Sequence, residues 1–375
     1  MTRQNEIEGT GDVFGTSLSE QMKWLHEHAL HRHPEVHRIA IALYDPRLKL
    51  LKTYVNSSDV LHPLSLYQQA LDAVPSLAEL AERRASRVIG DLADLPGPHA
   101  DHTTWLLDQG YRSSYTVPLF QSGVLLGFIF FDSRVPGAFN GDLAADLQIY
   151  VQLCRMSVLN VINLSHALEG MVKVARGLAH LRDIETGRHL DRMSSYSRLI
   201  ARCVADRYGC SDEFVEHVYL FSPLHDIGKV GIADSILLKP GKLTDEERRS
   251  VERHVDLGVS LVDEVMQDAG LVGTGYVSVL RNIVHCHHEF LDGSGYPRGL
   301  VGDALPLEGR IVTIADIFDA LTSDRPYKKP WSNEAALAEL QRMAEAGKLD
   351  PHCVAALTGA TDETLEIQQR FGVTG

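Results

Sequence analysis

The sequence predicts a chain of two units: an α+β unit at the N-terminus, a long connecting helix, and an all-α bundle filling the C-terminal half. Three observations predict it. The chain has 375 residues, more than one domain of about 100–200 residues. Two pairs of short β-type runs lie before residue 135, among helical stretches. Beyond residue 141 apolar residues recur at helical spacing, with no convincing strand-type alternation.

The elements follow in order. Between Ser17 and His31, Leu18, Met22, Leu25 and Ala29 step at helical spacing behind a serine N-cap, which predicts a first helix. Arg38–Tyr44 and Leu48–Val55 read as two strands around the turn Asp45-Pro46-Arg47. A helical stretch is expected over Leu64–Arg84 and a short strand over Arg87–Ile89. Tyr115–Phe120 and Val124–Asp132 form a second hairpin around Gln121-Ser122-Gly123. From about Gly141 to Ala175, Leu143, Leu147, Tyr150, Cys154, Val158, Val161, Leu168, Val172 and Ala175 step by threes and fours without a proline. That is longer than a typical globular helix, and it predicts a signalling helix that pairs with its copy in a homodimer. Helices are then expected over Arg192–Tyr208, Asp212–His225, Thr244–Gln267, Gly275–His288, Arg310–Thr322 and Asn333–Ala346. The domain reading is 17–140 for the N-terminal unit, 141–175 for the connecting helix and 176–375 for the bundle.

Composition excludes several classes. With 44% hydrophobic and 23% charged residues the chain is an ordinary globular one, so bulk disorder is excluded. A net charge of −14, with no Lys/Arg tract, argues against duplex nucleic acid or an anionic membrane as partner. The five cysteines are scattered and form no C-x-x-C pair, so neither a disulfide framework nor a zinc ribbon is expected. No apolar run approaches the roughly 20 residues that span a bilayer, and the first residues lack a signal-peptide core. The expected location is the cytoplasm.

Chemistry gathers in the C-terminal half. Glu185 and His189, four apart, leave one face of a helix. His225-Asp226 are adjacent; such neighbours point about 100° apart on a helix, so they share one ion only where the helix ends, or else they serve two ions. His254 falls at the middle of an expected amphipathic helix, and His287-His288 close another. Asp316 and Asp319 sit three apart in an otherwise apolar helix, where burial without compensation is costly and metal ligation removes the cost. Imidazole and carboxylate without thiolate suit iron, manganese or zinc. The eight candidates Glu185, His189, His225, Asp226, His254, His287, His288 and Asp316 exceed one tetrahedral ion and suffice for two or three ions sharing bridging groups. Paired ions are the usual device for phosphodiester hydrolysis. In the other half, His26, His28, His31, His33 and His37 read as a solvated helix end rather than a metal or haem site.

Over essentially the whole of 166–375 the chain resembles the HD-GYP family of the HD phosphohydrolase superfamily. The resemblance is carried by Asp-Ile-Glu-Thr-Gly-Arg-His (183–189), His-Asp-Ile-Gly-Lys (225–229), Ile-Leu-Leu-Lys-Pro-Gly-Lys-Leu-Thr (236–244), His-His-Glu-Phe-Leu-Asp-Gly-Ser-Gly-Tyr-Pro (287–297) and Ala-Asp-Ile-Phe-Asp-Ala-Leu-Thr-Ser-Asp-Arg-Pro-Tyr-Lys (315–328). It implies an HD-type helical bundle holding two or three divalent transition-metal ions, iron first and manganese as the alternative. It also implies hydrolysis of cyclic di-GMP to linear pGpG and in some members onward to GMP. By motif, Asp226 is the expected catalytic bridge between ions, Lys229 faces the scissile phosphate, and Glu185 supplies the extra ligand of three-ion members. Gly295, Tyr296 and Pro297 of the naming loop are expected to meet substrate, with Arg325 and Lys328 adding cationic contacts. The chain departs from the family at Ala233, where proline is usual, and at Phe290-Leu291, where a basic-aromatic pair is commoner. The stretch 117–131 gives the N-terminal half a resemblance to GAF domains, which implies a sensor that takes an unidentified small ligand. Two rival readings are a phosphohydrolase of another nucleotide and a silent cyclic di-GMP receptor.

Overall fold

The computed structural model describes residues 17–60, 63–96, 100–178, 187–268, 275–323 and 329–372. It divides into two compact units, Met1–Asn160 and Val161–Gly375.

The first unit is α+β. Helix α1 (Leu18–Arg32) starts at a capping box: Ser17 Oγ accepts from the Glu20 N–H, and the Glu20 carboxylate accepts from the Ser17 N–H at 3.0 Å. Six antiparallel strands follow: β1 (Arg38–Asp45), β2 (Leu50–Ser58), β3 (Gln68–Ala70), β4 (Arg87–Ile89), β5 (Ser113–Gln121) and β6 (Val124–Ser133), in the sheet order β3-β2-β1-β6-β5-β4. Both expected hairpins and the short strand at Arg87 are present. The expected helix over Leu64–Arg84 is not: Gln68–Ala70 pairs with Leu50–Lys52 at the sheet edge, a 3-10 turn (Leu71–Ala73) follows, and only α2 (Pro75–Arg83), opened by a proline, is α-helical. Sheet pairing overrides helical propensity there. Leu77 and Leu80 of α2 pack on Ala42, Leu51 and Phe128 of the sheet. A third helix, α3 (Asp101–Asp108), was not expected.

The long helical stretch breaks once, at Leu147, giving α4 (Gly141–Asp146) and α5 (Gln148–Leu178). Its apolar stripe is largely covered as far as Leu168; the side chains of Val172 and Ala175 lie outside the described ones. Leu147, Cys154, Val158, Val161 and Leu168 are all buried, and Cys154 Sγ lies 3.4 Å from Met22 Sδ of α1. Among the described side chains of α5, the large apolar ones left exposed are Ile149 and Met156, seven residues apart.

The second unit is a helical bundle: α6 (Gly187–Tyr208), α7 (Asp212–Phe221), α8 (Asp234–Leu237), α9 (Asp245–Glu252), α10 (His254–Asp268), α11 (Gly275–Cys286), α12 (Leu307–Thr322), α13 (Asn333–Glu345), α14 (Pro351–Gly359) and α15 (Thr361–Phe371). Two boundaries differ from expectation in ways that matter for the site. The helix expected over Asp212–His225 ends at Phe221, because Pro223 brings no N–H; a 3-10 turn, Ser222–Leu224, replaces it. The helix expected over Thr244–Gln267 divides at Arg253, so His254 opens α10 instead of sitting mid-helix. Tyr196 of α6 meets Phe318 of α12 edge-on at 5.1 Å in the core. All five cysteines are free thiols, and no helix among the described residues is long and apolar enough to cross a membrane.

Candidate metal centre

Four imidazoles of the centre sit where a helix starts or stops. His225 and Asp226 lie between the 3-10 turn after α7 and a second one, Ile227–Gly231. His254 begins α10, and His287 and His288 follow the end of α11. These ends approach closely because of glycine: a Cβ on Gly228 would stand 1.9 Å from the His254 carbonyl oxygen and 2.4 Å from the Gly258 nitrogen. Only a residue without a side chain lets the turn carrying His225-Asp226 lie against the start of α10.

The histidines are aimed by local hydrogen bonds. His225 Nδ1 lies 2.9 Å from the Ser222 carbonyl oxygen, His254 Nδ1 2.7 Å from that of Val251, and His287 Nδ1 3.0 Å from that of Val284. A carbonyl only accepts, so each Nδ1 carries the proton and each Nε2 presents its lone pair. This is the usual arrangement of a metal-binding imidazole. Burial pushes the His287 imidazole below its ordinary range, and burial with the neighbouring His287 does the same to His288, which keeps both neutral.

Two groups of ligand atoms result, each within 4.8 Å across: Asp226, His254, His287 and His288, and His189, His225 and Asp316. Asp226 Oδ1 has the Nε2 atoms of His254 and His287 at 3.1 and 3.6 Å, while Oδ2 takes the Lys229 ammonium at 2.6 Å and faces His225 Nε2 at 3.2 Å. Burial alone would push the Asp226 carboxyl up; Lys229 and the surrounding histidines outweigh it and hold the group well below the usual carboxylate range. The groups adjoin through His225-Asp226, whose side chains go one to each; the helix has already ended there, which frees the pair from the 100° constraint.

The residues fit a cation. His189 Nε2 is fully buried and makes no hydrogen bond among the described residues, and Asp226 Oδ1 forms none of good geometry. Such orphaned acceptors are costly unless a cation meets them. The arrangement is consistent with the metal site of an HD domain, with imidazoles and carboxylates as the donors. Glu185, Arg325 and Lys328 lie outside the described residues.

Asp319 has another occupation. Fully buried, it accepts from His189 Nδ1 at 2.5 Å, from Arg192 Nε at 2.6 Å and Nη2 at 3.0 Å, and from Ser323 Oγ at 3.0 Å. Burial pushes its carboxyl up, but the bonds from His189 and Arg192 prevail and hold it low. Its burial is therefore compensated by an arginine and a histidine, not by metal ligation. Sequence reasoning missed Arg192. Its signal is a helical step of three from His189, which matches the step from Asp316 to Asp319.

The loop after His288 is held in place. Glu289, also buried, accepts from the backbone N–H of Arg298 at 2.7 Å and of Leu300 at 3.0 Å. A Cβ on Gly295 would meet the His288 carbonyl oxygen and the Glu289 Cα at 2.5 Å, so this glycine is what lets the loop fold back onto the ligands. The Tyr296 N–H donates to the His288 carbonyl at 3.1 Å, its ring lies 4.7 Å from the His288 ring, and the Tyr296–Pro297 peptide is cis. Burial pushes the Tyr296 phenol up, so it stays protonated.

In the first unit the histidines do not gather. His26 is buried, with Nδ1 2.9 Å from Ser57 Oγ and Nε2 3.0 Å from the Val36 carbonyl oxygen; His28 and His31 are exposed and bond to carbonyls of α1. Among the described residues they form no metal-ligating group.

Residues 184–353 match the HD domain family. Over 204 residues the chain is 46% identical to the cyclic di-GMP phosphodiesterase response regulator RpfG of Xanthomonas campestris pv. campestris, covering 54% of this chain and 50% of that protein. It is 38% identical over 201 residues to a cyclic di-GMP phosphodiesterase of Thermotoga maritima, covering 53% and 51%. To the 3'3'-cGAMP-specific phosphodiesterase 2 of Vibrio cholerae it is 37% identical over 224 residues, covering 60% and 38%. The chain thus spans about half the length, or less, of the curated relatives it matches. A solved GAF domain/HD domain protein from Geobacter sulfurreducens is 16% identical with a TM-score of 0.31, covering 40% of this chain and 95% of that one. The α+β character of the first unit rests on its own sheet.

Proposed function

We propose that this chain, whose C-terminal unit carries an HD domain closely similar to HD-GYP cyclic di-GMP phosphodiesterases, hydrolyses cyclic di-GMP to linear pGpG, with GMP as a further product. The observation that carries the proposal is the junction of two ligand groups through His225 and Asp226. Seven of the eight expected ligands lie in those groups. We assign His189, His225, Asp226, His254, His287, His288 and Asp316, with Glu185, to two or three ions of iron or manganese.

Bound ions would supply Lewis acidity and activate water against phosphorus. The protein's own part is positional. Asp226, held ionised, offers Oδ1 to a cation while Oδ2 keeps Lys229 in place. Lys229, partly exposed, balances negative charge that develops on the phosphate. The Tyr296 hydroxyl remains a donor, and Gly295 and Pro297 shape the loop that presents it. Arg325 and Lys328 add cationic contacts. Cleavage leaves a 5′-phosphate and a 3′-hydroxyl.

In this reading residues 17–140 are a GAF-like sensor for a small ligand, 141–175 couple it to the catalytic part 176–375, and two chains pair along the long helix. The five scattered free thiols favour the cytoplasm. The test is anaerobic purification, elemental analysis and product analysis on cyclic di-GMP. Asp226→Ala should abolish turnover, and full activity of that variant after metal stripping and reloading would refute the mechanism. The match to a cGAMP-specific enzyme favours 3'3'-cGAMP as a second substrate; a side-by-side assay ranks the two.

A further inference from the structure

The first unit holds a cavity of about 60 Å³. Its floor is the sheet, with Ala40 and Ala42 of β1 and Thr53 and Val55 of β2. Its walls are Leu77 of α2 and His102 and Leu106 of α3. The space corresponds to roughly four to six water positions. With a mostly apolar lining, that suits a small organic molecule.

The charges lining it are already neutralised. Arg38 is buried and ion-paired with buried Asp132, and its Nε donates to Asn56 Oδ1 at 2.8 Å. The Lys52 ammonium lies 3.4 Å from Asp45 Oδ2, both groups buried. An anionic ligand would have to break one of these pairs or remain uncompensated in a mostly apolar space, and either is costly. Two polar side chains on the lining make no hydrogen bond among the described residues: the His102 ring and the Gln69 amide. Burial pushes the His102 imidazole below its ordinary value, so it presents a neutral donor and a neutral acceptor.

We propose that this cavity binds a small, uncharged, largely apolar molecule through one hydrogen-bonding edge that meets His102, and that it does not accept phosphate-bearing ligands. This names the chemical class of the sensor's ligand and is independent of the phosphodiesterase reading, because its test measures binding alone.

The full chain is titrated calorimetrically with the neutral probes indole, phenol and indene, and with cyclic GMP and inorganic phosphate. Saturable one-to-one binding of a neutral probe is expected, and any uptake of the two anions, which the metal centre can also take, should be unchanged when the cavity is filled. Filling the cavity by Ala42→Leu or Leu106→Trp should weaken the neutral probe at least tenfold while the far-UV circular dichroism is kept. His102→Phe should weaken indole severalfold and leave indene, which lacks the N–H, unchanged; this comparison decides the matter if both filling variants unfold. The proposal is overturned if no neutral probe saturates a cooperatively melting protein. It is equally overturned if the substitutions leave binding unaltered, or if cyclic GMP binds and is lost on filling the cavity.

Discussion

His189 is held by its far nitrogen. With Nδ1 donated to Asp319 and Arg192 gripping the same carboxylate, the ring has one orientation, and its Nε2 has no hydrogen-bond partner among the described residues. Groups that orient a ligating histidine typically contribute about 10–100-fold to metal affinity or activity. Asp319→Asn should therefore weaken metal binding and turnover by roughly that factor, with the helical circular dichroism unchanged; metal titration followed by calorimetry measures it. Arg192→Met should go further toward misfolding, because it leaves a buried carboxylate with one cation fewer. The sequence revealed the ligand types because imidazole and carboxylate in apolar helices demand an explanation. It did not reveal that Asp316 and Asp319 have different roles, since their shared helical face is the same on paper. Only Arg192, brought from another helix, separates them.

Helix ends, more than helices, build the centre. Gly228 permits the contact between its 3-10 turn and α10, and Gly228→Ala would force apart the two backbones that carry Asp226 and His254. Overpacking of this kind costs about 1–3 kcal/mol or more. The expected outcome is a lower melting temperature together with loss of metal retention, read by thermal unfolding and elemental analysis. The sequence shows most of these elements, because 3.6-residue periodicity marks α6, α7 and α11 clearly. It does not show the break at Arg253, where no proline or glycine interrupts the pattern, nor the edge strand β3, whose pairing depends on residues some 18 positions earlier in the chain. Acid sensitivity also belongs to this scale. On α7, burial pushes the His217 imidazole down to about 4. Between its unfolded value, about 6.5, and that folded value the unfolded chain binds a proton that the folded one refuses. Stability is therefore lost as pH falls from about 6.5 through about 4, by roughly 3 kcal/mol at the lower end. Melting curves at pH 7 and pH 5 should show the loss, and His217→Gln should flatten it.

At the scale of the whole chain, α5 runs from the α+β unit into the helical unit, and its stripe is largely buried as far as Leu168. Among the described side chains of α5, the apolar ones open to a second copy are Ile149 and Met156, 63% and 61% exposed. Sedimentation should show a dimer for the native chain, and Met156→Glu should shift it toward monomer while secondary structure is kept. The sequence made the helix legible by its length, but not which side of it the protein would cover, because that depends on residues distant in the chain, such as Met22 against Cys154 and Leu220 against Ser165. One feature of the helix ends reaches furthest. Three of the imidazoles are locked by carbonyls no more than four residues away, so their direction is fixed by chain that is already local to them. A fold assembled in this way does not wait for its cations to take shape. Chelation should silence the protein and leave it upright, ready to be reloaded.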